Sequence, residues 1–230
     1  MNSNTTVKSF GRVAITTIIL SLVWTSLSRL ANPVVSATYG TFFKSGSTAF
    51  WHVAVPMAIT YAIFMSYMAH EKRIGQIYQP QPKLERTWVR IVFGIVTVVM
   101  IVFSLYNLYF RMTGVLNHWN SASLGRILVI CLAIILVAIT EESVFRGFVL
   151  TEMRRSHSEL QAMLLATVLF GLWHFPNIIN GSPLVQVSLQ VITTMLIGSG
   201  IYMSMRFTRS IYGAMAIHWL WDFALVIAIV

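Results

Sequence analysis

The stretch ILVICLAIILVAITEESVFRGFVL, residues 127–150, decides the fold. From Ile127 to Ile139 no charged side chain interrupts it; then Thr140, Glu141 and Glu142 arrive together, and apolar composition resumes around Arg146. At 1.5 Å of rise per residue such a run spans about 36 Å as a helix, enough for a hydrocarbon core of about 30 Å. A charged group at the bilayer centre costs at least about 2.5 to 3.5 kcal/mol, so two glutamates and an arginine there point to a bundle interior with work to do.

Working outward, similar runs recur at roughly 13–31, 50–69, 88–110, 161–180, 184–205 and 211–230. The fold class expected is therefore all-α, a polytopic transmembrane bundle of about seven spans. Turn chemistry separates the runs at Ala31-Asn32-Pro33, in the segment carrying Pro80 and Pro82, between Asn117 and Ser123, and at Asn180-Gly181-Ser182-Pro183. Composition agrees: 57% of the 230 residues are hydrophobic and only 10% charged, with a mean hydropathy of +0.73. One integral membrane domain is expected, residues 1–126 giving three N-terminal spans with an inside loop at 70–87, and residues 127–230 the functional core of four. The single Cys131 can form no intramolecular disulfide.

The net charge is +9. Its basic residues lie mostly between apolar runs, where they orient a membrane protein and meet anionic headgroups, so no nucleic-acid partner is expected. With the N-terminus inside, eleven basic residues fall on the inner side: Lys8, Arg12, Lys72, Arg73, Lys83, Arg86, Arg90, Arg154, Arg155, Arg206 and Arg209. Four fall on the other side: Arg29, Lys44, Arg111 and Arg126. This bias sets the N-terminus inside, Val230 outside, and anionic lipids at the cytoplasmic face. Val35-Ser36-Ala37 has the look of a signal-peptidase site, but Arg29 and the length of the first run favour a retained anchor.

Three spans carry polar groups to a common layer: Glu141 and Glu142 on the fourth, His174 on the fifth, His218 and Asp222 on the seventh. Glu142 and Arg146 stand four apart with the acid nearer the N-terminus, the better order for a helical ion pair, and His218 and Asp222 also share a face. Glu141, about 100° round the helix from Glu142, is left free to face a cavity. Glu71, Glu85, Glu152 and Glu159 sit in inner loops or at span ends and read as a solvated face, and His52, His70, His118 and His157 read as interfacial. A buried carboxylate that deprotonates water, with donors aimed at a developing oxyanion, is what peptide hydrolysis needs. Two histidines and two carboxylates are also a donor set for zinc or iron, although there is no HExxH.

The sequences Glu141-Glu142-Ser143-Val144-Phe145-Arg146, Phe170-Gly171-Leu172-Trp173-His174 and His218-Trp219-Leu220-Trp221-Asp222 resemble, in order, the EExxxR, FxxxH and HxxxN/D motifs of the CAAX protease and bacteriocin-processing family. This family comprises intramembrane glutamate proteases that include the type II CAAX endopeptidases. The resemblance implies a metal-independent endopeptidase, with zinc as the second possibility. Glu141 would act as general base with His174, Glu142 and Arg146 as support, and His218 with Asp222 at the oxyanion. Asp222 stands where the best-studied members have Asn. The substrate implied is a membrane-associated peptide or protein in a bacterial cytoplasmic membrane, in bacteriocin-related processing or self-immunity. A non-catalytic immunity or binding protein on the same fold is the alternative. A proton-coupled transporter is disfavoured, since neither a repeat nor paired broken helices are present.

Overall fold

The computed structural model describes residues 3–227. Val230, expected on the outer side, lies outside the described residues, as does the side chain of Lys8. Seven helices make the bundle: α1 Ser3–Leu30, α2 Gly46–His70, α3 Thr87–Asn117, α4 Ser123–Met153, α5 Glu159–Leu172, α6 Leu184–Thr208 and α7 Ile211–Val226. The first six, α5 being continued by a 3₁₀ turn at Phe175–Asn180, are long and apolar enough to cross a membrane; α7 is a shorter apolar helix. No strand occurs among the described residues, as expected where lipid leaves each backbone group to find its partner within its own helix.

Local chemistry sets the ends. Ser45 and Ser158 cap α2 and α5, each accepting from the backbone N–H three residues on. Pro176 cannot donate to the carbonyl of Leu172 and its ring clashes there, so α5 stops at Leu172 and the chain turns through Phe175–Asn180. Gly181 closes that turn at φ +83°, a left-handed conformation that glycine adopts without strain.

Two helices loosen to π winding: α2 at Phe50–Ala54 and α4 at Ser143–Val149. In α2, Pro56 leaves the carbonyl of His52 without its usual helical donor, and the Ser28 hydroxyl of α1 donates to it instead. His52 is correspondingly buried, its ring nitrogens on the carbonyls of Ser28 and Val35 and its face stacked on Phe42. It is a structural core residue rather than the interfacial one expected. The α4 winding begins directly after Glu142 and so re-aims Glu141 and Glu142 relative to the inner end of their helix.

α4, α5, α6 and α7 pack together, with α3 laid against α6 and α7 on the outside. Most of α3 is exposed, as a lipid-facing helix should be. α1 and α2 close the other side of α4, and α1 is stitched to the turn after α5: Ser21 donates to the carbonyl of Trp173, and Asn180 donates to that of Thr25.

At one end of the bundle Glu71, Glu85 and Glu159 are exposed, as expected of a solvated face, and Glu152 is the exception. Glu152 is 1% exposed and meets Arg12, Arg73 and Arg155. Glu159 meets Arg154 and Arg206. A lone carboxylate would stay in water; three guanidiniums from three segments offset the desolvation of Glu152 and tie α1, the 71–86 loop and α4 together.

Candidate active site

The sequence-predicted residues converge. Glu141 Oε1 lies 4.0 Å from His174 Nε2, and Glu141 Oε2 lies 3.8 Å from His218 Nε2. The same His218 Nε2 is 3.3 Å from Asp222 Oδ2. Two helices and one helix-ending turn therefore bring four polar side chains to a single locus, and Glu141, His174 and His218 are all buried.

Each is held by a distinct device. His174 follows the break imposed by Pro176, and its Nδ1–H donates to the carbonyl of Phe170 at 3.1 Å, leaving Nε2 turned toward Glu141. The Trp173 indole N–H donates to Glu141 Oε1 at 3.0 Å and fixes that carboxylate from the side. Ser21 in turn holds the backbone of Trp173, so α1 reaches the site at one remove. Close approach of α5 to α6 is made possible at Gly171, where a Cβ would come within 2.7 Å of the Val191 carbonyl.

Below this layer sits a sealed support. Glu142 Oε1 is 3.1 Å from Arg146 Nη1 and accepts from His218 Nδ1 at 2.8 Å. Arg146 also donates to the carbonyl of Gly198 at 2.9 Å and lies over the Phe170 ring at 4.4 Å. Phe170 stands edge-on to both His174 and His218. The expected Glu142–Arg146 pair is present; the hydrogen bond from His218 to Glu142 was not expected, because nothing in spacing alone relates residues 76 positions apart.

Above the layer is a cavity of about 260 Å³, its base lined by Glu141, His174 and Asp222. Aromatic and aliphatic side chains, Trp24, Phe42, Met57 and Ile134 among them, form most of its wall. A polar chain crosses one side: Asn177 Nδ2 donates to Gln190 Oε1, and Gln190 Nε2 donates to the Tyr39 hydroxyl. Enclosure in this wall raises the Tyr39 phenol above its ordinary range, against the opposing Gln190 hydrogen bond, so it stays neutral. Trp173, Gln190, Asn177 and Tyr39 carry no sequence signal for the site beyond Trp173 standing next to His174. Residues before 127 thus also line the cavity.

The donor types at the site suit a metal, but among the described residues no group of three or more His, Cys, Asp or Glu is arranged to hold one. Chemically, the arrangement offers a fixed carboxylate with a histidine acceptor across a gap of about one water and a second histidine beside it.

Residues 122–224 match the family described as type II CAAX prenyl endopeptidase, Rce1-like. The matched segment contains all three motifs, so the resemblance they carry is borne out over α4 to α7. No curated protein and no solved structure matches the chain.

Proposed function

We propose that this membrane protein, whose α4–α7 segment is matched by the Rce1-like type II CAAX prenyl endopeptidase family, is an intramembrane endopeptidase in which Glu141 activates water. The observation that carries the reading is the placement of Glu141 at the base of an apolar cavity, with His174 Nε2 at 4.0 Å and His218 Nε2 at 3.8 Å. A water between Glu141 and His174 is within hydrogen-bond reach of both. Glu141 takes its proton as the oxygen attacks the peptide carbonyl, and later returns that proton to the leaving amine.

The carbonyl oxygen then becomes negative and needs a donor. His218 supplies it from Nε2, while its Nδ1–H is held by Glu142, which Arg146 holds in turn. Trp173 keeps the Glu141 carboxylate from rotating away. Every proton movement is accounted for by side chains, and we propose a metal-independent route on that ground. Neither Ser143 nor Cys131 has a base beside it among the hydrogen bonds of the described residues, so no covalent intermediate is invoked.

We place the protein in a bacterial cytoplasmic membrane with its N-terminus inside. Supporting this orientation, Arg12, Arg73, Arg154, Arg155 and Arg206 gather at one end of the bundle, and Lys72, Lys83, Arg86 and Arg90 are exposed there for anionic lipid headgroups. The substrate is a membrane-associated peptide, in bacteriocin processing or self-immunity.

The test compares membrane peptide profiles of cells carrying the wild type and Glu141→Gln. Glutamine keeps the shape and cannot take water's proton, so an uncleaved precursor should accumulate in the variant. Identical profiles with the protein inserted would reject hydrolysis and leave a binding or shielding role on the same fold.

A further inference from the structure

The residues lining the cavity all lie toward one end of the bundle. On α4 they are Ile134, Val137 and Glu141, of which Glu141 is nearest the Met153 end; on α7 they are Trp221, Asp222, Leu225 and Val226. α6 contributes Gln190, Thr193, Thr194 and Ile197, none beyond its middle turn, and the 31–45 loop contributes Tyr39, Phe42 and Phe43. The arginine and carboxylate cluster of Glu152 and Glu159 occupies the opposite end.

Between the two ends the interior is closed. Glu142, Phe145, Arg146, Phe170 and His218 are each buried to within a few per cent. The space beside Phe145 and Arg146 is about 10 Å³, at the lower limit for one water and far from admitting a chain. Among the described residues no opening leads to the site from the arginine end.

The opposite end has a mouth. The second half of α6 is packed, with Gly198, Ile201, Met205 and Arg206 buried, whereas its first half has Leu184, Val185, Leu189, Ile192 and Leu196 exposed. There Thr193, on the cavity wall, is exposed, and across from it the Asp222 side chain is 30% exposed. A carboxylate partly open at that depth cannot face hydrocarbon alone and needs a wet path.

We infer that the site is loaded from the non-cytoplasmic side, between the outer halves of α6 and α7, and that its substrate is a peptide presented at the outer leaflet rather than a cytosolic tail. Glu141 and Asp222 disfavour acidic residues next to the scissile bond, the apolar walls take apolar side chains, and Gln190 with Tyr39 offers hydrogen bonds to an extended backbone. This rests on the hydrolase reading for what is cleaved and on the proposed orientation for the side of access.

Single cysteines in a Cys131→Ala background test it. Gly40→Cys lies in open space beside Tyr39, Thr193→Cys lies at the mouth, and Gln79→Cys lies in the loop at the arginine end. With a membrane-impermeant maleimide, the cysteines at 40 and 193 should label equally in intact and disrupted cells, and that at 79 only after disruption. Labelling at 79 with protection at 40 in intact cells would overturn the inference, as would equal labelling of 40 and 79. Protection of 193 under all conditions would remove the mouth. If labelling is reversed while Glu141→Gln still blocks cleavage, the access inference alone fails. If Glu141→Gln changes nothing while labelling is as expected, the hydrolase reading alone fails.

Discussion

His218 and Glu142 lie 76 residues apart in the chain and are joined side chain to side chain, Nδ1 to Oε1 at 2.8 Å. Because Glu142 also pairs with Arg146, this contact makes one carboxylate the joint between α4 and α7. Arg146 is 4% exposed and Glu142 is fully buried. Removing one partner of a buried pair strands the other charge, at a cost of about 3 to 5 kcal/mol. Arg146→Ala should therefore lower folded, detergent-soluble yield and the unfolding temperature, and adding Glu142→Gln should restore part of both. Normal yield and stability of Arg146→Ala alone would place the pair in water.

His174→Ala should leave insertion and folding intact while cleavage falls by at least about 100-fold, the range for loss of a proton-transfer group. The ring makes one hydrogen bond, to the Phe170 carbonyl at the end of a helix already broken by Pro176, so little structure depends on it. Turnover of a reporter peptide in proteoliposomes measures this. Activity near wild type would remove His174 from the mechanism.

Gly171 permits the approach that positions His174. A Cβ there would stand 2.5 Å from Met195 Cγ and 2.7 Å from the Val191 carbonyl, and the backbone atom cannot swing aside. Gly171→Ala should cost about 1 to 3 kcal/mol by overpacking and reduce turnover with it. Thermal unfolding in detergent checks the first effect and the reporter assay the second. An unchanged unfolding temperature would show that α5 and α6 tolerate separation.

The membrane setting is why so much of the site was legible in the sequence. Glu141, His174, His218 and Asp222 stood out because lipid makes such residues costly, and helical rise placed them in one layer before any contact was known. What escaped was tertiary. Glu152 read as solvated because Arg12 and Arg73 come to it from distant segments. Trp173 received no role from the sequence, since its contribution depends on where Glu141 points. His52 read as interfacial because the carbonyls of Ser28 and Val35 that hold it belong to no local pattern.

Cleavage should survive metal removal. The proposed route uses Glu141 for the proton, His174 to hold the water and His218 for the oxyanion, so incubation with strong zinc and iron chelators should leave reporter turnover unchanged. Loss of turnover that returns on adding a stoichiometric divalent metal would overturn the metal-independent route and reassign the histidines as ligands.

Asp222 occupies the last position of the HxxxN/D motif, and its role decides how the oxyanion is stabilised. An ionised carboxylate cannot donate a hydrogen bond, so beside a developing oxyanion it would repel the charge unless something intervenes. Two arrangements resolve this. A protonated Asp222 would donate as Asn does; a charged Asp222 would instead hold His218 in its doubly protonated form, and the ring would donate. The geometry favours the second, because His218 has a carboxylate oxygen at each nitrogen, Glu142 at 2.8 Å and Asp222 at 3.3 Å, and a neutral ring with a single N–H can serve only one of them. Asp222→Asn replaces a charged acceptor by a neutral one at the nitrogen that must reach the substrate. The loss of a charge-assisted hydrogen bond of about 1.5 to 3 kcal/mol predicts a fall in turnover of roughly 10- to 150-fold. Asp222→Glu, which keeps the charge on a longer stem, should retain more activity than Asn. Turnover of both variants in proteoliposomes decides it: Asn at or above wild type would mean that Asp222 donates as a neutral acid, and the charged pair with His218 would have to be abandoned.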